Sequence, residues 1–465
     1  MTIITSETIS QDVKVVRQSP KPLDLDNNLV YTFFVCYYVA YSRCKENSYC
    51  AIRLCTLLES ILGMSMMPLP YKKFLFSRTE FAGSLADLGT ILPIAGGMIA
   101  ANGLNPASIF FTVGAFYLLS GLYFGVTIPV QPMKLIGAYA IAMGYDAGMV
   151  SSSAFFMGIL LLFIGITGIV QFVAKSLPKS VVRGIQVSVG ILLAVEGLRF
   201  VLGTTKFQSL KAEPYLSIQY IGPVPIGIII GIVALVITLI LLGNKKVPAA
   251  LVVVSGGLLA GILLGDYDGL SRIELFHLPK ILPFDIPTPD MLLISLTSLV
   301  LPQIPLSLSN SVIATPDLSR KYFGETAKRI TPRSISISMG LANIAVFFLG
   351  GMPLCHGSGG LAAHYRFGSR TAGTNVIIGS IFLVLALLLG EQTIIIINLL
   401  PLSVLGVLLT FAGIELALMI KDIKEHSDLV VVFAMIAVTL AASLAPALII
   451  GLILSYFLGT KKIQL

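Results

Sequence analysis

The chain has 465 residues, of which 56% are hydrophobic and 12% charged, and it carries a formal net charge of +8; an average soluble domain is roughly a quarter charged. With a mean hydropathy of +0.92 and repeated apolar runs of about 20 residues, most of the chain has lipid as its solvent. That excludes a string of soluble domains and assigns the basic excess to membrane topology, not to nucleic acid.

Residues 1–80 differ from the rest. They are polar over 1–28, apolar but short over 29–42 and only mildly apolar over 51–70, and they read as an N-terminal extension, partly disordered or interfacial. Four of the five cysteines, Cys36, Cys44, Cys50 and Cys55, lie there. With Cys355 they follow no metal or disulfide spacing and read as incidental thiols. From Phe81 the pattern becomes regular. Apolar segments are predicted at 83–101, 107–125, 130–144, 150–173, 181–202, 224–243 and 247–265, making a first half over 81–265. An extracellular linker over 266–290 follows. The second half, 291–465, carries segments at 291–314, 334–350, 356–365, 372–390, 394–416, 428–441 and 444–459.

Lys72, Lys73, Arg78, Arg320, Lys321 and Lys328 are among the many basic residues on one set of loops. The other set holds only Arg199, Lys206, Lys211, Arg272 and Lys280, with most of the acids. That asymmetry predicts both termini on the cytoplasmic side of the cell membrane.

The two halves echo one another. Leu122 to Ala138, with Pro129, and Val346 to Ala362, with Pro353, each read as an apolar helix, a break, proline and an aliphatic residue, then a helix of small residues. Pro93 answers Pro305 in the first and eighth segments, and Glu196 answers Glu415 in the fifth and twelfth. An odd number of segments per half inverts the second half. The expectation is an all-α membrane protein of about fourteen segments in a seven-plus-seven inverted repeat. Its third and tenth segments are short, and each is preceded by an extended stretch.

Helices that start inside the membrane offer unsatisfied N–H groups and a positive dipole end to an anion. Pro132 fits a first helical turn, Met133 follows it, and Gln131 has an amide to donate. Gly357, Ser358 and Gly359 allow close backbone approach, with tight helix packing as the bland reading of the glycines. Lys134 is the lysine within a predicted span. It neutralises part of an anion's charge, pairs with Asp87 or snorkels to the surface. Asp87 and Thr90, in the first segment, are candidates for coupling or gating, as are Glu196 and Glu415. Gln303, Ser307 and Asn310 share a polar face on the eighth segment that lines a cavity or joins helices. His356 is placed to titrate or donate, and His364 falls in or near a loop. A lone histidine makes no metal site. The chain shows no GxSxG, Walker A or HExxH pattern, so no enzyme, metal or organic cofactor is expected.

At these residues the chain resembles the molybdate transporter family, related to the sulfate permease (SulP) superfamily. The strings that carry the resemblance are Ala86-Asp-Leu-Gly-Thr90, Pro129-Val-Gln-Pro-Met-Lys134, Pro302-Gln-Ile-Pro-Leu306 and Met352-Pro-Leu-Cys-His-Gly-Ser-Gly-Gly-Leu-Ala362. The resemblance implies a core domain moving against a gate domain, with the substrate between the third and tenth half-helices. It implies secondary active transport of molybdate, with sulfate as competitor, and leaves the coupling ion open between proton and sodium. A homodimer stays open as a partner. A nucleobase carrier of the same fold, a membrane-embedded enzyme and a non-transporting anion sensor are the other readings; the tenth segment offers a nucleobase no Glu.

Overall fold

Fourteen helices form among the described residues of the computed structural model, which are 74–170, 178–205, 208, 220–241, 244, 249–264, 279–284, 287–390 and 399–460. The first half supplies α1 (Arg78–Asn102), α2 (Pro106–Phe124), α3 (Lys134–Met143), α4 (Ala147–Thr167), α5 (Lys179–Leu202), α6 (Ile226–Leu241) and α7 (Ala249–Leu264). The second supplies α8 (Pro289–Ala327), α9 (Pro332–Leu349), α10 (Ser358–Arg366), α11 (Gly373–Leu389), α12 (Leu402–Asp422), α13 (His426–Ala441) and α14 (Leu444–Thr460). The expected extension at 1–80 and the linker at 266–290 lie mostly outside the described residues.

Seven of these helices are long and apolar enough to cross a membrane, among them α2, α4, α5 and α8, and further apolar helices are shorter. Leu239, Ile240, Leu263, Phe433 and Phe457 stand exposed on the outside of the bundle, as lipid-facing positions require. The chain is an integral membrane protein.

Local signals set the helix ends. Asn105, Asp146, Thr288 and Thr331 each cap a helix through a side-chain oxygen, and Pro106, Pro289 and Pro332 occupy first turns, where a missing N–H costs nothing. Several segment boundaries differ from the sequence expectation: α1 starts at Arg78 where 83 was expected, α12 spans Leu402–Asp422 where 394–416 was expected, and two others have a plain local cause. The eighth segment was expected to end at 314, but α8 runs to Ala327, because hydropathy marks the lipid-buried part while the hydrogen-bonded helix continues through Asp317, Arg320 and Lys321. The fourth segment was expected to reach 173, but α4 stops at Thr167, where Gly168 takes a left-handed φ of 73°.

The third and tenth helices are short, as expected, and the extended stretches before them pair. Strands β1 (Gln131–Pro132) and β4 (Leu354–Cys355) are antiparallel, with Gln131 opposite Cys355 and Pro132 opposite Leu354. A separate small hairpin joins β2 (Tyr220–Ile221) to β3 (Val224–Pro225) outside the bundle core.

Three helix pairs, α5–α12, α4–α9 and α2–α11, make the most extensive contacts. Exchanging each helix for the one seven places along leaves this set unchanged. Glycine faces glycine at each crossing. A Cβ built on Gly190 would lie 2.6 Å from the Gly413 carbonyl oxygen, and one on Gly413 would lie 2.5 Å from that of Gly190. Gly114 meets Gly379, and Gly158 meets Gly340, in the same reciprocal way. Lipid gives helices no hydrophobic reason to associate, so close backbone approach at small residues supplies the packing.

Gly413→Val therefore sets a branched side chain against backbone that cannot swing aside, and should abolish the monodisperse folded protein. Gly256→Ala, with nothing within 4 Å of the new Cβ, should leave it intact. Size-exclusion profiles of the two variants in detergent check this.

Candidate functional site

The two extended stretches cross inside the bundle, where each backbone polar group needs a protein partner. Pro129, Pro132 and Pro353 reduce the demand by having no N–H. Met133 N donates to Pro353 O at 2.8 Å. Two amide side chains hold most of what remains. Asn375 of α11 accepts from Ile128 N (3.0 Å) and donates to Ile128 O (2.8 Å). Asn343 of α9 does the same for Leu354, accepting from its N (2.9 Å) and donating to its O (2.7 Å). Both side chains are fully buried. Gly125 and Gly350, with φ of 73° and 66°, end α2 and α9 and release the chain into these stretches.

Polar residues of α8 brace the starts of both short helices. Two π-helical segments, Ser295–Val300 and Ser307–Ile313, flank the Pro302–Pro305 stretch and rephase this helix. Gln303 Oε1 accepts from Leu135 N (3.1 Å) and Ile136 N (3.2 Å), capping α3, while its Nε2 donates to Ser307 Oγ at 2.9 Å. Asn310 Oδ1 accepts from Ser358 Oγ at 2.6 Å, at the first residue of α10. Gln303, Ser307 and Asn310 thus join helices and lie behind the cavity described next.

Asp87 sits in a 3₁₀ turn, Leu85–Asp87, inside α1, and is 1% exposed. Its Oδ2 accepts from Tyr117 Oη of α2 at 2.5 Å, and its Oδ1 accepts from Gln131 Nε2 at 2.7 Å. His364 Nε2 of α10 lies 2.9 Å from Oδ2, off the line of a well-directed hydrogen bond. His364 Nδ1 meets Thr127 Oγ1 at 2.8 Å. Gly360 makes room for this cluster: a Cβ there would stand 2.6 Å from Asp87 Oδ1 and 2.7 Å from Pro129 Cβ.

A cavity of about 390 Å³ opens on the other side of Asp87. Asp87 and Thr90 of α1, Gln131, Lys134 at the start of α3 and Gly359 in the first turn of α10 line one wall. Leu193 of α5, Thr238 of α6, Ala250 of α7 and Phe411 and Glu415 of α12 line the other. Gly359 is exposed to it, and a Cβ built there meets nothing within 4 Å. Among the described residues the N–H groups of Ser358, Gly359 and Gly360, in the first turn of α10, bond to no acceptor, and Gly359 leaves open space beside them. At α3 the corresponding donors of Leu135 and Ile136 are already bonded to Gln303. Lys134 is half-buried and makes no ion pair or hydrogen bond among the described residues.

Asp87, Thr90, Gln131, Lys134, Gly359 and Glu415 come together at the cavity. Ser358 flanks it through Asn310, Gly357 caps α10 beside Gln131, and Met133 and Pro132 are buried in the crossing. His356 is turned away. Its Nδ1 donates to Pro129 O at 2.7 Å, its Nε2 meets Ser338 Oγ at 3.1 Å, and Phe116 and Phe124 pack on its ring. Glu196 pairs with Arg199 at 3.2 Å and lines no part of the cavity. Asp87 does not pair with Lys134. His364, expected in or near a loop at the end of the tenth segment, lies in the last turn of α10 and is fully buried.

Tyr117, Thr127, Asn343 and Asn375 were missed. A lone amide in an apolar span, as at Asn343 and Asn375, was the available signal, because such a group must find a partner in lipid. Glu80 was missed too. Its buried carboxylate accepts from Arg370 N and Thr371 N at 3.0 and 2.9 Å and from the Thr374 hydroxyl, tying the start of α1 to the loop before α11.

Known proteins share both sequence and fold with this chain. The family described as "Molybdate transporter of MFS superfamily" matches residues 79–193 and 295–416. Molybdate transporter 1 of Arabidopsis thaliana is 30% identical over 413 residues, covering 80% of this chain and 86% of that protein. Molybdate transporter 1 of Chlamydomonas reinhardtii is 26% identical over 445 residues, covering 75% and 84%. The transmembrane domain of the cyanobacterial bicarbonate transporter BicA superposes with a TM-score of 0.59 at 18% identity, over 81% of this chain and 98% of that one. The murine anion transporter Slc26a9, in its inward-facing state, gives 0.59 at 14% identity over 88% and 76%. These two likenesses establish the fold.

The two adjacent glycines of α10 should respond oppositely to a methyl group. Gly360→Ala should destabilise the protein by about 1–3 kcal/mol through overpacking against Asp87 and Pro129. Gly359→Ala should leave stability unchanged or slightly raised. Thermal unfolding of the purified variants in detergent checks the contrast.

Proposed function

We propose that this chain, which belongs to the molybdate transporter family, is a secondary active transporter that binds a tetrahedral oxyanion, molybdate, in the cavity between α1, α3 and α10 on one side and α5, α6, α7 and α12 on the other. The observation that carries this reading is the open start of α10. Gly359 has no contact across from it, Ser358 stands next to it and the unpaired Lys134 shares the cavity. Backbone N–H groups at a helix start, with the dipole behind them, hold an anion without burying a fixed counter-charge against it. Lys134 supplies one mobile positive charge. A dianion held this way is bound yet able to leave, as a carrier requires.

The set of helix pairs that survives a seven-place exchange supports two inverted halves. Alternating access follows if the wall carrying α3 and α10 moves past the wall carrying α12. Sulfate is the close alternative ligand, because backbone donors and one lysine recognise a tetrahedral dianion without reading its central atom. The Arabidopsis and Chlamydomonas relatives, named molybdate transporters, favour molybdate. These relatives are named transporters.

Uptake of labelled molybdate into vesicles reconstituted with the protein should be saturable and competed by tungstate and, more weakly, by sulfate; flat, unsaturable uptake would sink the reading. Lys134→Met should weaken binding about tenfold or more, as loss of a charged hydrogen bond worth about 1.5–3 kcal/mol implies. Gly359→Val should abolish binding while leaving the protein folded, because its side chain enters open space.

A further inference from the structure

Asp87 borders a cavity whose proposed ligand is a dianion. Two acids, Asp87 and Glu415, line that cavity against one base, Lys134. Left so, the site repels what it is to bind. The buried cluster behind Asp87 contains a group that can change this, and neither the family match nor the relatives assign it a role.

We propose that His364 is a proton-binding site linked to the substrate: the ring takes up one proton as the oxyanion binds and gives it up as the oxyanion leaves. This rests on the oxyanion reading above. The hydrogen-bond geometry fixes where the proton goes. Asp87 Oδ1 accepts from Gln131 Nε2, and Oδ2 faces Tyr117 Oη and His364 Nε2. Both carboxyl oxygens already accept from a donor, Gln131 Nε2 and Tyr117 Oη, which favours the carboxylate form of Asp87. His364 Nε2, 2.9 Å from that carboxylate, keeps its hydrogen in both states, since a bare lone pair there would face a negative oxygen.

Nδ1 is left as the atom that changes. Its partner is Thr127 Oγ1 at 2.8 Å. A hydroxyl both donates and accepts. It donates to Nδ1 when the ring is neutral and accepts from Nδ1–H when the ring is charged, with no heavy atom moving. Protonation forms one N–H bond at Nδ1 and takes the Asp87–His364 pair from a charge of minus one to zero. Asp87 is the member of the pair that also lines the cavity, so the change of charge is felt there.

Besides Asp87, α1 carries the buried carboxylate of Glu80, held by Arg370 N, Thr371 N and the Thr374 hydroxyl, and α10 itself carries Arg366 in its last turn. Tyr117 of α2 stacks on the His364 ring at 6.4 Å. From α3 comes Lys134 and from α12 Glu415, both across the cavity side of Asp87. α8 meets α10 through Asn310 on Ser358 and Tyr322 on Tyr365, and no charged α8 side chain bonds to Asp87 or His364 among the described residues. With no other partner to neutralise Asp87, the charge state of the pair follows His364. Coupling is reciprocal. Bound molybdate favours the charged ring, and the charged ring favours bound molybdate.

The test is a proton count. Full-length protein in detergent and weak buffer is mixed with molybdate while a pH dye is read, and molybdate affinity is measured between about pH 5 and 8. The wild type should take up about one proton per molybdate bound, and its affinity should fall as the pH rises. His364→Gln keeps a donor toward Asp87 and should bind with pH-independent affinity and no proton uptake. His426→Gln, at the exposed start of α13, should behave as wild type. Molybdate binding by the wild type without proton uptake overturns the proposal, and that measurement needs no variant to fold. Persistent uptake in His364→Gln overturns it as well. No molybdate binding by the wild type at any pH overturns the oxyanion reading, and this one with it.

Discussion

Two helices broken inside a membrane leave backbone donors and acceptors where no water can reach them, and the arrangement of this protein follows from satisfying them. The extended stretches before α3 and α10 do so partly by pairing with each other, over Gln131–Pro132 and Leu354–Cys355. The rest falls to side chains brought from other helices. Asn375 reads Ile128 and Asn343 reads Leu354, each from both sides of the peptide. His356, a tempting ligand in the sequence, serves the same end by donating to Pro129 O. Each unsatisfied group would cost several kcal/mol in hydrocarbon, so these residues fix the crossing more firmly than any apolar contact does.

That constraint also divides the two helix starts. At α3 the first-turn donors are bonded to Gln303 of α8, which turns this end into scaffold and leaves Lys134 as its contribution to the cavity. At α10 the neighbouring residues are Gly359, open to the cavity, and Gly360, closed against Asp87. One helix thus supplies the free dipole end and the other the charge. The glycine crossing of α5 on α12 holds one wall of the cavity together, and α3 and α1 of the other wall pack against α5 and α12.

Asp87 gathers the remaining polar chemistry. It is held by α2, by the stretch before α3 and by α10 at once, so a charge change at this point is felt by three elements and by the cavity. A carboxylate so placed is costly in a membrane unless it has work to do or partners to hold it. Here it has the partners, Tyr117 and Gln131 by hydrogen bond and His364 close by.

Much of this was legible in the sequence. Hydropathy period and length gave fourteen segments, because lipid imposes one requirement on each span regardless of its neighbours. Proline and small residues marked the third and tenth as short and preceded by extended chain, because backbone restriction is local. Gln131, Lys134, Gly359 and Asp87 were named for chemistry that needs only their residue type and their position along a span. What a side chain faces was decided by the tertiary structure alone. Gln303, Ser307 and Asn310 form a polar face in the sequence, and only the rephasing of α8 turns that face onto the starts of α3 and α10. His364 stands at the end of a short predicted segment, and Tyr117 is one aromatic among many, yet they converge on Asp87 from two other helices. Partners so distant along the chain leave no local mark, because their hydrogen bonds exist only once the helices have packed.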